Sequence, residues 1–425
     1  MARRLNIART PLKKLQIRVL VLLCVMYAIS YIDRSNISTA APSITAALHL
    51  STTQLGIIFS AFSIPYALLQ VVGGNVGERF GPRKSLIWIG ILWGIATIAT
   101  GWSVGFISLF GARLLLGLSE SAAFPVATQA MSRWFPARRN GLVQGVVHSA
   151  ARLGNALAPL LVALLITLGD WRTSFYAIGV LSIVWAIIWA AFFRNNPIEY
   201  PKVAEDTTAK PIASHLIKRP PVPWKRLIRS MLPVAFVDFG YGWMLWVFIT
   251  WLPTFLSSTY HLTLGKFALY TSLILMAGVV GDTLGGMLSD WIYKRTGDMS
   301  KARRYTIIFG LVGSLFCLSP LMFAQTLVVA SVSLALSFFF LELTNASLWS
   351  IPMEVAPTWA GTASGMMNTG FGLAGIASPI VFGALIGTYG WRLPFGLSIG
   401  LLALAAIVAA IMRPKPLERL RTAVV

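Results

Sequence analysis

Two acids and two bases stand where an apolar chain would ordinarily hold none. Asp33 and Arg34 follow directly on the apolar run 17–32, and Arg113 and Glu120 lie seven apart in the apolar stretch 106–131. Two turns of helix put Arg113 and Glu120 on one face, about 10.5 Å apart along the axis. An ionised side chain near the middle of a membrane helix costs about 2.5–3.5 kcal/mol even on the most lenient scale. Four of them need water, partners or a ligand. Asp33 and Arg34 are neighbours and point about 100° apart on a helix, which makes them poor partners for each other. The structural alternatives are an anchor at a helix end or a buried packing network, and such a network stabilises little because desolvation offsets the attraction. The chemistry open to this set needs both signs. A guanidinium offers a two-pronged fork to a carboxylate. A buried carboxyl can exchange a proton, since burial raises its pKa and a nearby arginine lowers it. An anion that neutralises the arginine then favours protonation of the acid, which couples the two.

The elements that must hold these groups are membrane helices. The chain has 425 residues, of which 56% are hydrophobic and only 12% charged, with a mean hydropathy of +0.73; a soluble domain carries about 25% charge. Its net charge of +21 sits mainly in short loops, where the positive-inside rule explains it, and no aromatic-basic stripe points to nucleic acid. The N-terminal bases Arg3, Arg4, Arg9, Lys13 and Lys14 resemble a signal-peptide start. The apolar stretch behind them is too long and lacks a small-residue cleavage site, so it reads as an uncleaved first helix. Cys24 and Cys317 fall in apolar segments without CxxC spacing, and the four histidines do not cluster; neither a disulfide nor a metal or cofactor site is expected.

Twelve segments are long enough to span a bilayer: 17–42, 53–77, 84–103, 106–131, 140–168, 172–194, 229–256, 266–291, 303–323, 326–351, 361–387 and 391–413. A proline-rich polar break divides them six and six, giving an N-terminal bundle over 1–194, a cytoplasmic linker over 195–228 and a C-terminal bundle over 229–425. Arginine and lysine concentrate in the even-numbered loops, which places both termini in the cytoplasm. The halves repeat: Gly141, Gly145, Pro159, Trp171, Arg172 and Phe175 recur 220 residues later at Gly361, Gly365, Pro379, Trp391, Arg392 and Phe395. The fold class read from this is an all-α membrane protein, two six-helix bundles with pseudo-two-fold symmetry around a midplane cavity, a transporter architecture.

A loop pattern repeats as well. Gly74-Asn-Val-Gly-Glu78-Arg79-Phe-Gly81-Pro-Arg83 stands between segments 2 and 3, and Gly286-Met-Leu-Ser-Asp290, followed by Lys294 and Arg295, between segments 8 and 9. Each puts an acid at a cytoplasmic helix end with bases behind it, and the glycine admits a close neighbouring helix. Ordinary positive-inside charge accounts for the bases alone. The duplicated spacing points to a gating clasp of Gly74, Glu78, Arg79, Arg83, Gly286 and Asp290.

This loop pattern resembles the signature of the major facilitator superfamily, with Glu78 where aspartate is usual and a shortened second copy. Within it, Tyr31-Ile-Asp33-Arg34-Ser-Asn36 and Arg113-Leu-Leu-Leu-Gly-Leu-Ser-Glu120-Ser-Ala-Ala-Phe-Pro125 look like the anion–cation symporters. These include bacterial galactonate, glucarate and hexuronate transporters, vesicular glutamate transporters and sialin. The resemblance implies proton-coupled uptake of a small organic anion through the inner membrane by a monomer, with protons as the coupling ion. It implies Asp33 and Glu120 as proton carriers, Arg34 on the substrate carboxylate, and Arg113 tuning Glu120 or sharing that contact. It also places Tyr66 and Asn368 at the substrate, and puts Tyr241, in the Gly240-Tyr-Gly-Trp243 stretch, on a flexible gating helix as a further candidate for the substrate cavity. Trp349, with Asn345, lies in segment 10 as a further candidate; membrane packing alone also accounts for each aromatic.

Segment 5 departs from the sugar-acid pattern. Ala151 stands near where those transporters tend to have a glutamine, and Arg152 adds another intramembrane base, flanked by His148 and Asn155. A second anionic group or an aromatic acid as substrate fits this change, and so does an Arg152 that only pairs with a membrane acid. Asp238, Asp282 and Glu342 are further membrane acids, as compatible with pairing as with function. An uncoupled uniporter or an exchanger is the competing transport reading. An enzyme would need a nucleophile with its base or a metal cluster, and the chain offers neither. A receptor has little use for a six-plus-six repeat.

Overall fold

In lipid, a spanning segment must satisfy its own backbone polar groups, so each apolar segment folds as a helix. The computed structural model describes residues 2–135, 140–200, 223–323, 326–356, 360–412 and 417, and within the helices the side chains of 2–11 and 70–78 are among those outside the description. In order come α1 (Ala2–Leu48), α2 (Thr52–Gly101), α3 (Phe106–Glu120), α4 (Ala123–Trp134), α5 (Asn140–Thr167) and α6 (Trp171–Phe192). After the 3-10 turn Pro197–Glu199 follow α7 (Trp224–Tyr260), α8 (Leu264–Thr296), α9 (Met299–Leu318), the 3-10 turn Ser319–Met322, α10 (Leu327–Leu343), α11 (Asn345–Val355), α12 (Ala360–Tyr389) and α13 (Arg392–Ile411). Twelve stretches among the described residues are long and apolar enough to cross a membrane. Most of the expected linker, 201–222, lies outside the description.

Local chemistry explains where helices break. Gly81 takes φ 77° and kinks α2 near the start of its second span, Arg79–Gly101; a left-handed φ favours glycine. The fourth span, expected as one helix over 106–131, is instead α3 and α4 with a turn at Ser121–Ala122. Pro125 accounts for it, because its ring clashes with the carbonyl four residues back and it has no N–H to donate. The tenth span is divided at Thr344, between α10 and α11. The first helix runs on past Pro42 to Leu48, so Asp33 and Arg34 lie well inside a span rather than at its end. Asp170, counted as a loop charge, caps α6 by accepting the backbone N–H groups of Arg172 and Thr173, the ordinary work of an N-cap carboxylate.

By contact the chain forms two compact units, 1–36 with 68–218, and 37–67 with 219–425. The six-and-six division follows the sequence repeat, whereas this one follows which residues pack. In the second unit, residues 52–60 of α2 lie directly on α12. The Ser60 hydroxyl donates to the Ile376 carbonyl at 2.7 Å and Thr53 to the Gly383 carbonyl at 3.4 Å. A Cβ on Gly56 would sit 2.3 Å from the Pro379 carbonyl oxygen, and one on Gly383 would sit 2.4 Å from that of Thr52. Only glycine admits so close a backbone approach.

Candidate functional site

In the first unit, Asp33 and Arg34 of α1 and Arg113 and Glu120 of α3 are all buried. Glu120 ends α3 at the break that Pro125 creates. Arg34 donates from Nε and Nη2 to the same oxygen, Glu120 Oε2, at 3.0 and 2.9 Å, and the Ser30 hydroxyl donates to it at 3.0 Å. Oε1 of Glu120 has no hydrogen-bond partner. Asp33 Oδ2 accepts from the Trp93 indole N–H and the Thr97 hydroxyl, each at 2.5 Å, while its Oδ1 has no partner. Each acid therefore keeps one oxygen in reserve. Arg113 interacts electrostatically with Asp33, Glu120 and Arg34.

Arg113, expected to tune Glu120 or share its contact, acts on it electrostatically, while Arg34, from another helix, holds it by two hydrogen bonds. Arg34 is also framed by aromatics, with its guanidinium 5.2 Å from the Tyr31 ring centroid and 5.0 Å from that of Phe124. Ser30, Trp93 and Thr97 were not singled out in the sequence. Their signal was available: Ser30 is one helical turn before Arg34, and Trp93 and Thr97 are four apart on one face of an otherwise apolar span.

On α5, Arg152 is half-buried and His148 exposed, the latter edge-on to Tyr27 at 5.6 Å. Ala151 and Asn155 are buried, and Asn155 Oδ1 accepts the Ser35 hydroxyl at 2.5 Å. The Asn155 carbonyl oxygen is thus engaged within the unit.

In the second unit, Tyr241 of α7 is buried and donates to Glu342 Oε2 of α10 at 3.2 Å. Asp282 accepts from Asn345 at 3.0 Å. Asp238 accepts the backbone N–H of Phe371, and its Oδ2 has no hydrogen-bond partner. Tyr66 is buried and stacked on Phe62 at 5.2 Å. Asn368 is half-buried on α12, and Trp349 is 41% exposed on α11.

The loop residues divide. The side chains of Gly74 and Glu78 lie outside the described residues. Arg79 is exposed over Phe80. Arg83 donates to the Ala190 carbonyl at 2.7 Å, and its backbone N–H donates to Asn195; it pins α2 to the end of α6. The close-approach role expected of Gly286 falls elsewhere. A Cβ there would meet only Ala346, at an ordinary 3.8 Å, whereas one on Gly285 would lie 2.3 Å from the Leu343 carbonyl oxygen. Asp290 is 69% exposed and 3.9 Å from Arg303. Arg303 bonds more closely to Glu354, at 3.0 Å, and to Ser289, at 2.8 Å. Glu354 was missed because it lies past Pro352, away from the repeated motif.

Three comparisons bear on this arrangement. The sequence profile described as Major Facilitator Superfamily matches residues 23–379. The chain is 46% identical to a protein of Cupriavidus necator described as a probable sulfoacetate transporter, over 93% of each chain. It is 30% identical to the hexuronate transporter of Bacillus subtilis, over 94% of each. In fold it is similar to a bacterial homologue of the human lysosomal transporter Spinster, solved in an inward-facing, unoccupied conformation. That likeness has a TM-score of 0.75 at 18% identity, covering 93% of this chain and 96% of the other.

Proposed function

The chain belongs to the major facilitator superfamily, and from that premise we propose that it carries a small organic anion inward with protons across the inner membrane. Transport, not bond chemistry, is its work. The observation that carries the reading is the Arg34–Glu120 pair, a buried cation whose two donors rest on an acid that an arriving anion can replace.

The coupling follows from competition. A carboxylate or sulfonate at Arg34 takes the donors that Glu120 holds. Glu120, buried and stripped of its cation, is then best accommodated as the neutral acid. When the anion departs, Arg34 returns to Glu120 and the proton leaves. Asp33, held by Trp93 and Thr97 rather than by a base, is the second proton carrier. Arg113 keeps a positive field over both acids.

The substrate class we favour is a short dianion, a sulfonate with a carboxylate or two carboxylates. Arg34 takes one group and Arg152, half-buried on α5, takes the other. The relatives' names support small organic anions. A sulfonate stays ionised at any physiological pH, so the proton must ride on the protein, which the two buried acids permit. The test is uptake of sulfoacetate and of simple dicarboxylates into proteoliposomes, with and without an inside-alkaline pH gradient. Accumulation that needs the gradient and collapses with a protonophore is expected. Simple equilibration would make the protein a uniporter, and a strict need for internal anion would make it an exchanger.

A further inference from the structure

Along the first half of α7 runs a groove that the transport reading does not use. It has a volume of about 370 Å³ and lies between α7 and α12. Ile228, Leu232, Phe236 and Phe239 line it from α7, and Thr369 and Leu373 from α12. Its wall is almost wholly apolar and outward-facing: Leu232 is 67% exposed and Leu373 53%. At a rise of 1.5 Å per residue, Ile228 to Phe239 spans about 16 Å, close to half of a hydrocarbon core of roughly 30 Å. The groove therefore has the depth of one leaflet.

The same helix face carries charge at the groove's mouth. Lys225, Arg229, Leu232 and Phe236 recur at i, i+4, i+7 and i+11, one stripe of an α-helix. Lys225, Arg226 and Arg229 are exposed, and beside them Trp224 is 55% exposed. Among the described residues none of these three bases has an ion-pair partner. Tryptophan at a helix start marks the headgroup level, and basic pockets between membrane helices on that side attract anionic headgroups.

We propose that this groove is a binding site for one anionic phospholipid, its phosphate on Lys225, Arg226 and Arg229 and one acyl chain along Ile228, Leu232, Phe236, Thr369 and Leu373. Under the proposed orientation the lipid belongs to the cytoplasmic leaflet. Positive-inside charge explains why bases stand at this end. It does not explain why they head a concave, leaflet-deep apolar channel. The lipid clamps the start of α7 to α12, the helix that also packs against residues 52–60.

The test uses purified full-length protein in a neutral detergent and a phosphatidylglycerol carrying a photoreactive acyl chain. Peptides from 224–239 and 362–375 should carry the label. Unlabelled phosphatidylglycerol should compete, and phosphatidylcholine should not. Replacing Lys225, Arg226 and Arg229 together by glutamine should lower the preference for the anionic lipid roughly a hundredfold, at about fivefold per base. Thr369→Trp, which fills the groove and leaves the bases in place, should abolish labelling there. Equal competition by the two lipids, unchanged preference in the triple variant, or label confined to other helices would each overturn the site. So would occupancy of the groove by residues 201–222, detected as a cross-link from position 369 to that segment.

Discussion

Glu120→Gln separates the coupling mechanism from a merely structural salt bridge. The amide keeps the size of the acid and can still accept one bond, so the fold should survive. What it loses is the charge that holds Arg34. In the structure Glu120 Oε2 takes two guanidinium donors and the Ser30 hydroxyl. A hydrogen bond to a charged group contributes roughly 1.5–3 kcal/mol net, and exchanging carboxylate for amide forfeits about that much. An anion competing with Glu120 for Arg34 should therefore bind about 10–150-fold more tightly in the variant. Its affinity should also lose most of its dependence on pH between 5 and 8, because no proton need arrive at residue 120. Exchange of labelled for unlabelled anion across proteoliposomes should persist, whereas accumulation driven by a pH gradient should vanish. Calorimetric binding at several pH values, with uptake and exchange on the same preparation, provides the assay. Gradient-driven accumulation at the parental level would refute the role of Glu120. Unchanged affinity would refute the competition for Arg34.

Other outcomes follow from the same contacts. Asp33→Asn should also abolish proton-driven accumulation, and since an amide can still accept from Trp93 and Thr97, the protein should melt within a few degrees of the parent; full accumulation in this variant would remove Asp33 from the coupling. Gly383→Ala places a methyl group 2.4 Å from the Thr52 carbonyl oxygen, so it should part residues 52–60 from α12. A Ser60→Cys reporter, with Cys24 and Cys317 replaced by serine, should then label at least several-fold faster, and an unchanged rate would mean that this seam does not open. Arg303→Gln breaks contacts to both Glu354 and Ser289, and should change the balance of conformations in labelling from the two sides while leaving anion affinity within a few-fold. Arg152→Gln should weaken binding of a dianion at least tenfold and of a monocarboxylate little, as isothermal titration would read; equal affinities for every anion would make Arg152 structural.

Much of this protein is written in local sums along the chain. Twelve apolar stretches, the bias of bases among loops and the 220-residue repeat need no knowledge of neighbours, because lipid obliges each stretch to be helical by itself. Asp33, Arg34, Arg113 and Glu120 stood out as a candidate set for the same reason: a charge in an apolar segment is conspicuous wherever it points. Partnership is not local. Helical periodicity put Glu120 on a face with Arg113, and that Arg34 of α1 also reaches it, through two hydrogen bonds, is shown only by the packing of α1 on α3. The close approach expected at Gly286 belongs to Gly285, one position and about 100° round the helix. Arg303 reaches past Asp290 to Glu354. Each of these turns on the rotation and height of one helix against another. Those are set by the packing of many side chains together, and a pattern read along a single helix contains neither.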